Sequence, residues 1–311
     1  MLLKNAMTSS EPSLRIESPN MLIIADKPGQ LGNMLLLFSH FIGRAIESGL
    51  TISNPAFEDY AECFPTTKRD LFCRFPAQTS AVAASPFRRG LLYRASNFTV
   101  RALARLGGKL GFVRAITLHD WEAQFPLDSP EFLSLVRSGR LIFVRGWGFR
   151  DADSLRKHSD EIRAFFQPPE INQRNIDELI SRARLDAEVL VGVHIRHGII
   201  HFDNTRKHFY SAKRYAEMMD ELVAMFPGRR VAFLICSDWP LDPQVFSRFK
   251  VTFGSGDLIE DMYSFSRCDY LIGVPSTFTM WASFYGKVPL NIIRQPDQRQ
   301  NITDFVVLDV L

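Results

Sequence analysis

Between residues 188 and 293, short apolar runs alternate with helical repeats, and few architectures accept that pattern. "EVLVGVHI" (188–195), "VAFLICS" (231–237), "DYLIGV" (269–274) and "VPLNII" (288–293) are rich in β-branched residues and show little alternation of apolar with polar positions. Strands of this kind are buried on both faces, as in parallel sheets covered by helices. Between them, "SAKRYAEMMDELVAMF" (211–226) places apolar residues at 212, 215, 219, 222 and 226, and Pro227-Gly228 closes the repeat as a helix end. "PQVFSRF" (243–249) reads as a short helix, "VTF" (251–253) as a weak strand, and "DLIEDMYSFSRC" (257–268) and "STFTMWASFYG" (276–286) as helices. The alternation predicts a doubly covered parallel sheet.

The first half is less regular. "MLIIAD" (21–26) reads as a strand and "NMLLLFSHFIGRAIESG" (33–49) as a helix apolar over most of its surface, stopped at Gly49. A glycine turn, Pro28-Gly29-Gln30-Leu31-Gly32, joins them. Residues 55–130 are rich in Pro, Phe and Arg with weak periodicity, and "LIFVRG" (141–146) is another buried strand. Helical stretches near 151–166 and 173–185 flank "QPPEINQ" (167–173), which reads as a hinge. The expected fold is α/β, with two Rossmann-like domains facing across a cleft. Its boundaries fall at 21–170, 171–295 and a C-terminal tail, 296–311, that packs back on the N-terminal domain.

Charge narrows the partners. The 311 residues carry a net charge of only +3 and no basic run of five, so nucleic acid is not expected and any anion is bound locally. The four cysteines (Cys63, Cys73, Cys236, Cys268) lack metal-ligand spacing, and Cys236 and Cys268 sit in apolar runs as buried thiols. No window offers the ~18 apolar residues of a membrane span. Residues 1–20 lack the apolar centre of a signal peptide and read as a loose leader, so the expected compartment is the cytoplasm.

Ligands of open α/β sheets bind beyond the carboxyl ends of the strands. Three polar clusters fall there: His194-Ile195-Arg196-His197-Gly198, Ser237-Asp238 and Pro275-Ser276-Thr277-Phe278. Each has a plainer reading. Ser276 can be a helix cap, Asp238 a turn cap and His194 a hydrogen-bonded core residue. Arg196 is the hardest to dismiss, because a permanent cation among apolar strand residues needs an anionic partner. A nucleoside diphosphate fits the set. A helix N-terminus at Ser276-Thr277 offers free N–H groups, and Arg196 offers a two-point fork to phosphate. Asp238 can accept the two adjacent N–H donors of guanine, or bind ribose hydroxyls.

"VGVHIRHG" (191–198) resembles the HxR strand motif of the α-1,2, α-1,6 and protein O-fucosyltransferases. "GQLGNMLLLFSHFIGRAIESG" resembles their N-terminal glycine turn and helix, "ICSD" their second motif, and "DLIEDMYSFSRCDYLIGVPSTFTMWASFYG" their third. Glycosyltransferase family 11 is the nearest match, over about residues 21–50 and 188–295. The resemblance implies a GT-B fold, GDP-fucose as donor substrate, inversion at the anomeric carbon, no metal or other cofactor, and a glycan or glycolipid-precursor acceptor on the N-terminal side. Carried over, Arg196 neutralises the β-phosphate of departing GDP, while His194 and Asp238 hold the nucleotide. Ser276, Thr277 and Phe278 line the phosphate and base site, and Gly32 and Asn33 approach from the other domain.

The chain departs from the family where His197-Gly198-Ile199 replaces a second arginine followed by Gly-Asp. That leaves open a different nucleotide sugar, or a nucleotide-sugar binding protein without catalysis. Asp120, Glu122 and Asp203 are candidate general bases. Asp151-Ala152-Asp153 has the form of a DxD metal site, but the first turn of a helix also favours acids, and the capping reading is preferred.

Overall fold

The structure is a computed structural model and describes residues 21–196 and 209–309. Along the chain run β1 (Met21–Ile24), α1 (Leu31–Ser48), β2 (Thr51–Ser53), α2 (Pro65–Lys68), β3 (Arg74–Phe75), α3 (Pro86–Arg105), β4 (Lys109–Leu110) and β5 (Val113–Thr117). There follow β6 (Phe125–Pro126), α4 (Pro130–Arg137), β7 (Leu141–Arg145), β8 (Phe149–Arg150), α5 (Ala152–Lys157), α6 (Ser159–Phe165) and α7 (Glu170–Arg184). The last group is β9 (Val189–Ile195), α8 (Ala212–Ala224), β10 (Val231–Ser237), β11 (Lys250–Phe253), α9 (Leu258–Phe265), β12 (Tyr270–Gly273), α10 (Thr277–Gly286) and β13 (Leu290–Ile292).

Two sheets form. The first has the order β3-β2-β1-β7-β5-β4, parallel at its centre with antiparallel edges at β3 and β4. The second, β11-β10-β9-β12-β13, is parallel throughout. Every residue of β9 is buried, as its unbroken apolar run requires. The chain leaves β9 for β10 and β11 on one side, then returns to β12 on the other, so the β9/β12 boundary is a topological switch point. Register aligns the ends, with Ser237 opposite Ile195 and Gly273 opposite His194.

Several local readings change. The segment 243–249 forms only a 3₁₀ turn at Pro243–Phe246. The stretch 151–166 is two helices, α5 and α6, broken at His158. Within 55–130 lies the 20-residue helix α3, started by Ser85, whose hydroxyl accepts from the Arg88 N–H. The segment 167–173 is anchored where it begins, and within it Gln173 Nε2 donates to the Pro168 carbonyl. Phe165 and Phe166 before it are buried, Thr66 Oγ1 donates to the Phe165 carbonyl, and Tyr263 Oη donates to that of Phe166.

One apolar cluster spans both sheets. Phe38 of α1 makes edge contacts with Phe165 and Phe166, with centroids 5.6 Å away, and Phe166 meets Trp281 of α10 at 5.4 Å. Burying rings of this size dominates core energetics. After β13 the chain returns against both halves. Val306 bridges Leu290, the Leu308 N–H donates to Ser283 Oγ, and Arg156 Nε donates to Asp309.

Candidate active site

A cavity of about 710 Å³ opens at the carboxyl ends of the two sheets. Gly32, Asn33, His194, Arg196, Asp238, Ser276, Thr277 and Phe278 all line it. Residues as far apart in sequence as Gly32 and Phe278 are thus brought together by the fold, not by local structure.

The floor of the cavity is made by two helix N-termini. A Cβ on Gly32 would lie 2.5 Å from Thr277 Oγ1 and 2.8 Å from the Thr277 carbonyl carbon, so α1 reaches α10 only because position 32 has no side chain. The first N–H groups of each helix have no intrahelical partner. At α1, Gln30 gives no side-chain cap and the first turn holds no acid. At α10, Ser276 Oγ accepts from the Phe278 N–H, and again no acid is present. The capping role of Ser276 is therefore real, and it leaves the Thr277 N–H without an intrahelical partner at a helix start that, like that of α1, lines the cavity. Two positive dipole ends side by side form an anion site. The Asn33 amide braces the turn by donating to the Pro28 carbonyl at 3.0 Å, and Gly29, at φ +142°, lets the chain pass it.

Arg196 and His194 stand above this floor. Arg196, at the end of β9, is partly exposed and has no carboxylate of the described residues within ion-pair distance. His194 is 7% exposed, and its Nδ1 is buried without a hydrogen-bond partner among the described residues. Its ring stacks on Phe278, with centroids 5.0 Å apart, and meets the edge of Phe265. Phe278 thus holds the imidazole. Burial, reinforced by the Arg196 charge, lowers the His194 pKa to about 4. Asp238 lies exposed on the rim.

The sequence reading missed several lining residues. Asp261, one turn into α9, is buried with its carboxylate accepting from the N–H groups of Ser255 and Gly256. It fixes the turn after β11, and burial raises its pKa. On the opposite wall Trp121 and Trp147 stack, with centroids 5.3 Å apart and an interplanar angle of 9°. The Arg150 guanidinium covers the other side of Trp147 at 4.4 Å. The glycines beside Trp147 make the stack possible: a Cβ on Gly148 would overlap the Ala123 carbonyl at 1.7 Å, and one on Gly146 would lie 2.7 Å from that of Leu118. "RGWG" after a buried strand was the available signal.

Other candidates fall elsewhere. Asp120 and Glu122 do not line the cavity, although Trp121 between them does, and Asp120 Oδ1 accepts the Glu122 N–H in a turn. Asp203 and His197-Gly198-Ile199 lie outside the described residues. Asp151 is buried. It caps α5 through the Ser154 N–H and pairs with Arg44 at 2.5 Å, while Asp153 is an exposed partner of Arg156.

No protein-family model matches the chain, and no curated protein matches it in sequence. Solved structures do match in fold. An Arabidopsis thaliana FUT1 mutant in complex with GDP superimposes with a TM-score of 0.58 at 11% identity, covering 94% of this chain and 75% of the other. POFUT1 in complex with GDP gives a TM-score of 0.51 at 12% identity, over 89% and 97% of the two chains. With two Rossmann-like sheets set across a cleft, the chain has the GT-B glycosyltransferase fold in the form these fucosyltransferases take.

Proposed function

We propose that the protein is an inverting, metal-independent glycosyltransferase that moves fucose from GDP-fucose to a hydroxyl of a glycan or glycolipid precursor. The observation that carries this is the convergence of the α1 and α10 N-termini beneath Arg196 and His194. The two solved structures of the same fold hold GDP, which agrees with a nucleoside diphosphate in this cavity. In this reading the diphosphate lies on the two helix ends, and Arg196 grips the β-phosphate. As the glycosidic C–O bond breaks, negative charge grows on the phosphate oxygens. A preorganised cation and oriented N–H groups stabilise that charge more in the transition state than in the ground state. These groups supply the positive field that a divalent cation gives other transferases.

His194, kept neutral by its burial, lines the ligand space without adding a second charge beside Arg196. Asp238 reads the two N–H donors on the guanine edge. The acceptor enters along the opposite wall, where the Trp121 ring offers an apolar face to the C–H side of a sugar. A loose, oxocarbenium-like transition state needs little base assistance. Titration calorimetry with GDP, UDP and ADP, followed by hydrolysis assays on GDP-fucose, tests the assignment. GDP should bind most tightly, and Asp238→Asn should weaken GDP by ~1–3 kcal/mol, by analogy with two-point base readout, with little change for UDP. Equal losses for both nucleotides would assign Asp238 to ribose. Tight GDP binding without turnover of any GDP-sugar would favour a silent binding protein.

A further inference from the structure

The outer face of α3 gathers exposed apolar side chains among cations. Phe87, Leu91, Arg94, Phe98, Arg101 and Arg105 recur at spacings of three and four, and all are exposed. The exposures of Phe87, Leu91 and Phe98 are 80%, 60% and 71%, and Leu106, Leu110 and Phe112 in the following turn are 64%, 59% and 68% exposed. Single exposed apolar side chains need no explanation, but a contiguous patch does. The helix's inner face, with Arg89, Ser96, Val100 and Leu103, is the buried one.

Charge on this segment has one sign. Residues 71–119 contain eight Lys and Arg and no Asp or Glu, while the whole chain carries only +3, so the remainder is net negative. None of Arg94, Arg101, Arg105 or Lys109 has a carboxylate of the described residues within ion-pair distance. Arg101 and Arg105 also line a cavity of about 360 Å³ with His119 and Arg145. That is room for a phosphate head group, and of the four only Arg145 has an acidic neighbour, Asp26 at 3.8 Å.

We propose that α3 and the turn after it dock the protein on an anionic lipid bilayer, as a peripheral surface contact. Aromatic and aliphatic side chains on an exposed helix enter the head-group boundary, and interleaved cations meet anionic lipid. No helix of the described residues is long and apolar enough to cross a membrane. A protein partner of ordinary composition would supply acids to some cations and require acids from this side in return, whereas a bilayer needs only cations and apolar rings. On the functional reading above, the consequence is an acceptor presented at a membrane. His119 and Arg145 lie two residues from Trp121 and Trp147, so the basic cavity adjoins the acceptor wall of the cleft.

The test is co-sedimentation of the full chain with vesicles, which needs neither nucleotide nor turnover. The protein should pellet with phosphatidylcholine vesicles containing about one third phosphatidylglycerol, stay in solution with pure phosphatidylcholine, and be released by salt. Arg94→Gln/Arg101→Gln/Arg105→Gln should weaken binding about 100-fold, and Phe87→Ser/Leu91→Ser/Phe98→Ser should weaken it independently. Both variants change exposed positions and should melt with the wild type and bind GDP unchanged. The proposal fails if the wild type ignores both vesicle types or if either folded variant binds as well as the wild type. It also fails if α3 covers a second copy of the chain, seen as a dimer without lipid that the same substitutions dissociate.

Discussion

Arg196→Ala probes the proposed chemistry most directly. The positive field in the cavity has three sources: the guanidinium, the N-terminus of α1 and that of α10. Removing one preorganised group facing developing charge typically lowers kcat by ~10²–10³, or about 3–4 kcal/mol of barrier, and the two helix ends left in place bound the loss to that range. The donor KM should rise less than kcat falls, because the β-phosphate gains charge only as the bond breaks. Arg196→Lys should recover little, since an ammonium lacks the two-point fork. Stability supplies the control. With no carboxylate of the described residues beside Arg196, truncation strands no buried anion among them, and the melting temperature should stay near the wild type. Loss of a buried structural ion pair would instead cost about 3–5 kcal/mol. A second control is the His194 titration followed by NMR. Burial is the main cause of its lowered pKa and the Arg196 charge the next, so the alanine variant should titrate at higher pH while remaining below an ordinary histidine. A folded Arg196→Ala enzyme turning over at the wild-type rate, or one that unfolds early, refutes the reasoning.

His194 also makes stability pH-dependent. Its pKa falls from 6.5 to about 4 on folding, so stability is full above pH 6.5 and is lost as the unfolded chain takes up a proton that the native state refuses. The slope is about 1.4 kcal/mol per pH unit between those values. Denaturant midpoints across that window should fall more steeply for the wild type than for His194→Gln, and parallel profiles would count against the assignment. Gly32→Ala should force α1 from α10 and cost about 1–3 kcal/mol, with a disproportionate loss of GDP affinity. Calorimetry showing normal affinity would mean that the helix ends do not form the anion site. Asp151→Ala should destabilise by about 3–5 kcal/mol by stranding Arg44, and activity should survive EDTA. Chelation that abolishes turnover, restored by manganese or magnesium, would return Asp151 and Asp153 to a metal role.

The second sheet was legible because its strands are buried on both faces, so each appears as an apolar run that nothing else explains. β9 and β10 occupy almost the segments their apolar runs mark out. The cluster at Arg196, Asp238 and Ser276 followed from parallel connections alone. The helix α3 was not legible, because its exposed face carries Phe87, Leu91 and Phe98, and apolar residues on both faces erase the helical period. The same feature hid its charge, spread at helical spacing and not in a run. The tryptophan wall was missed for another reason. Trp121 and Trp147 come from separate loops, and only the sheet register and two glycines bring their rings together.

The shared aromatic cluster has a consequence for how the molecule moves and melts. Phe38, Phe57 and Phe64 lie on one side of Phe166, Tyr263 and Trp281 on the other, and the Tyr263 hydroxyl ties the two by its bond to the Phe166 carbonyl. Two lobes joined by a wet, polar contact can swing about a linker, whereas lobes fused through a dry core must break that core to separate. On this packing the two lobes should keep a fixed angle, and the donor and acceptor of the proposed reaction should meet walls already in place. The lobes should also unfold in one cooperative transition. Residues 171–295 expressed alone would present Tyr263 and Trp281 to water, and that fragment is expected to aggregate.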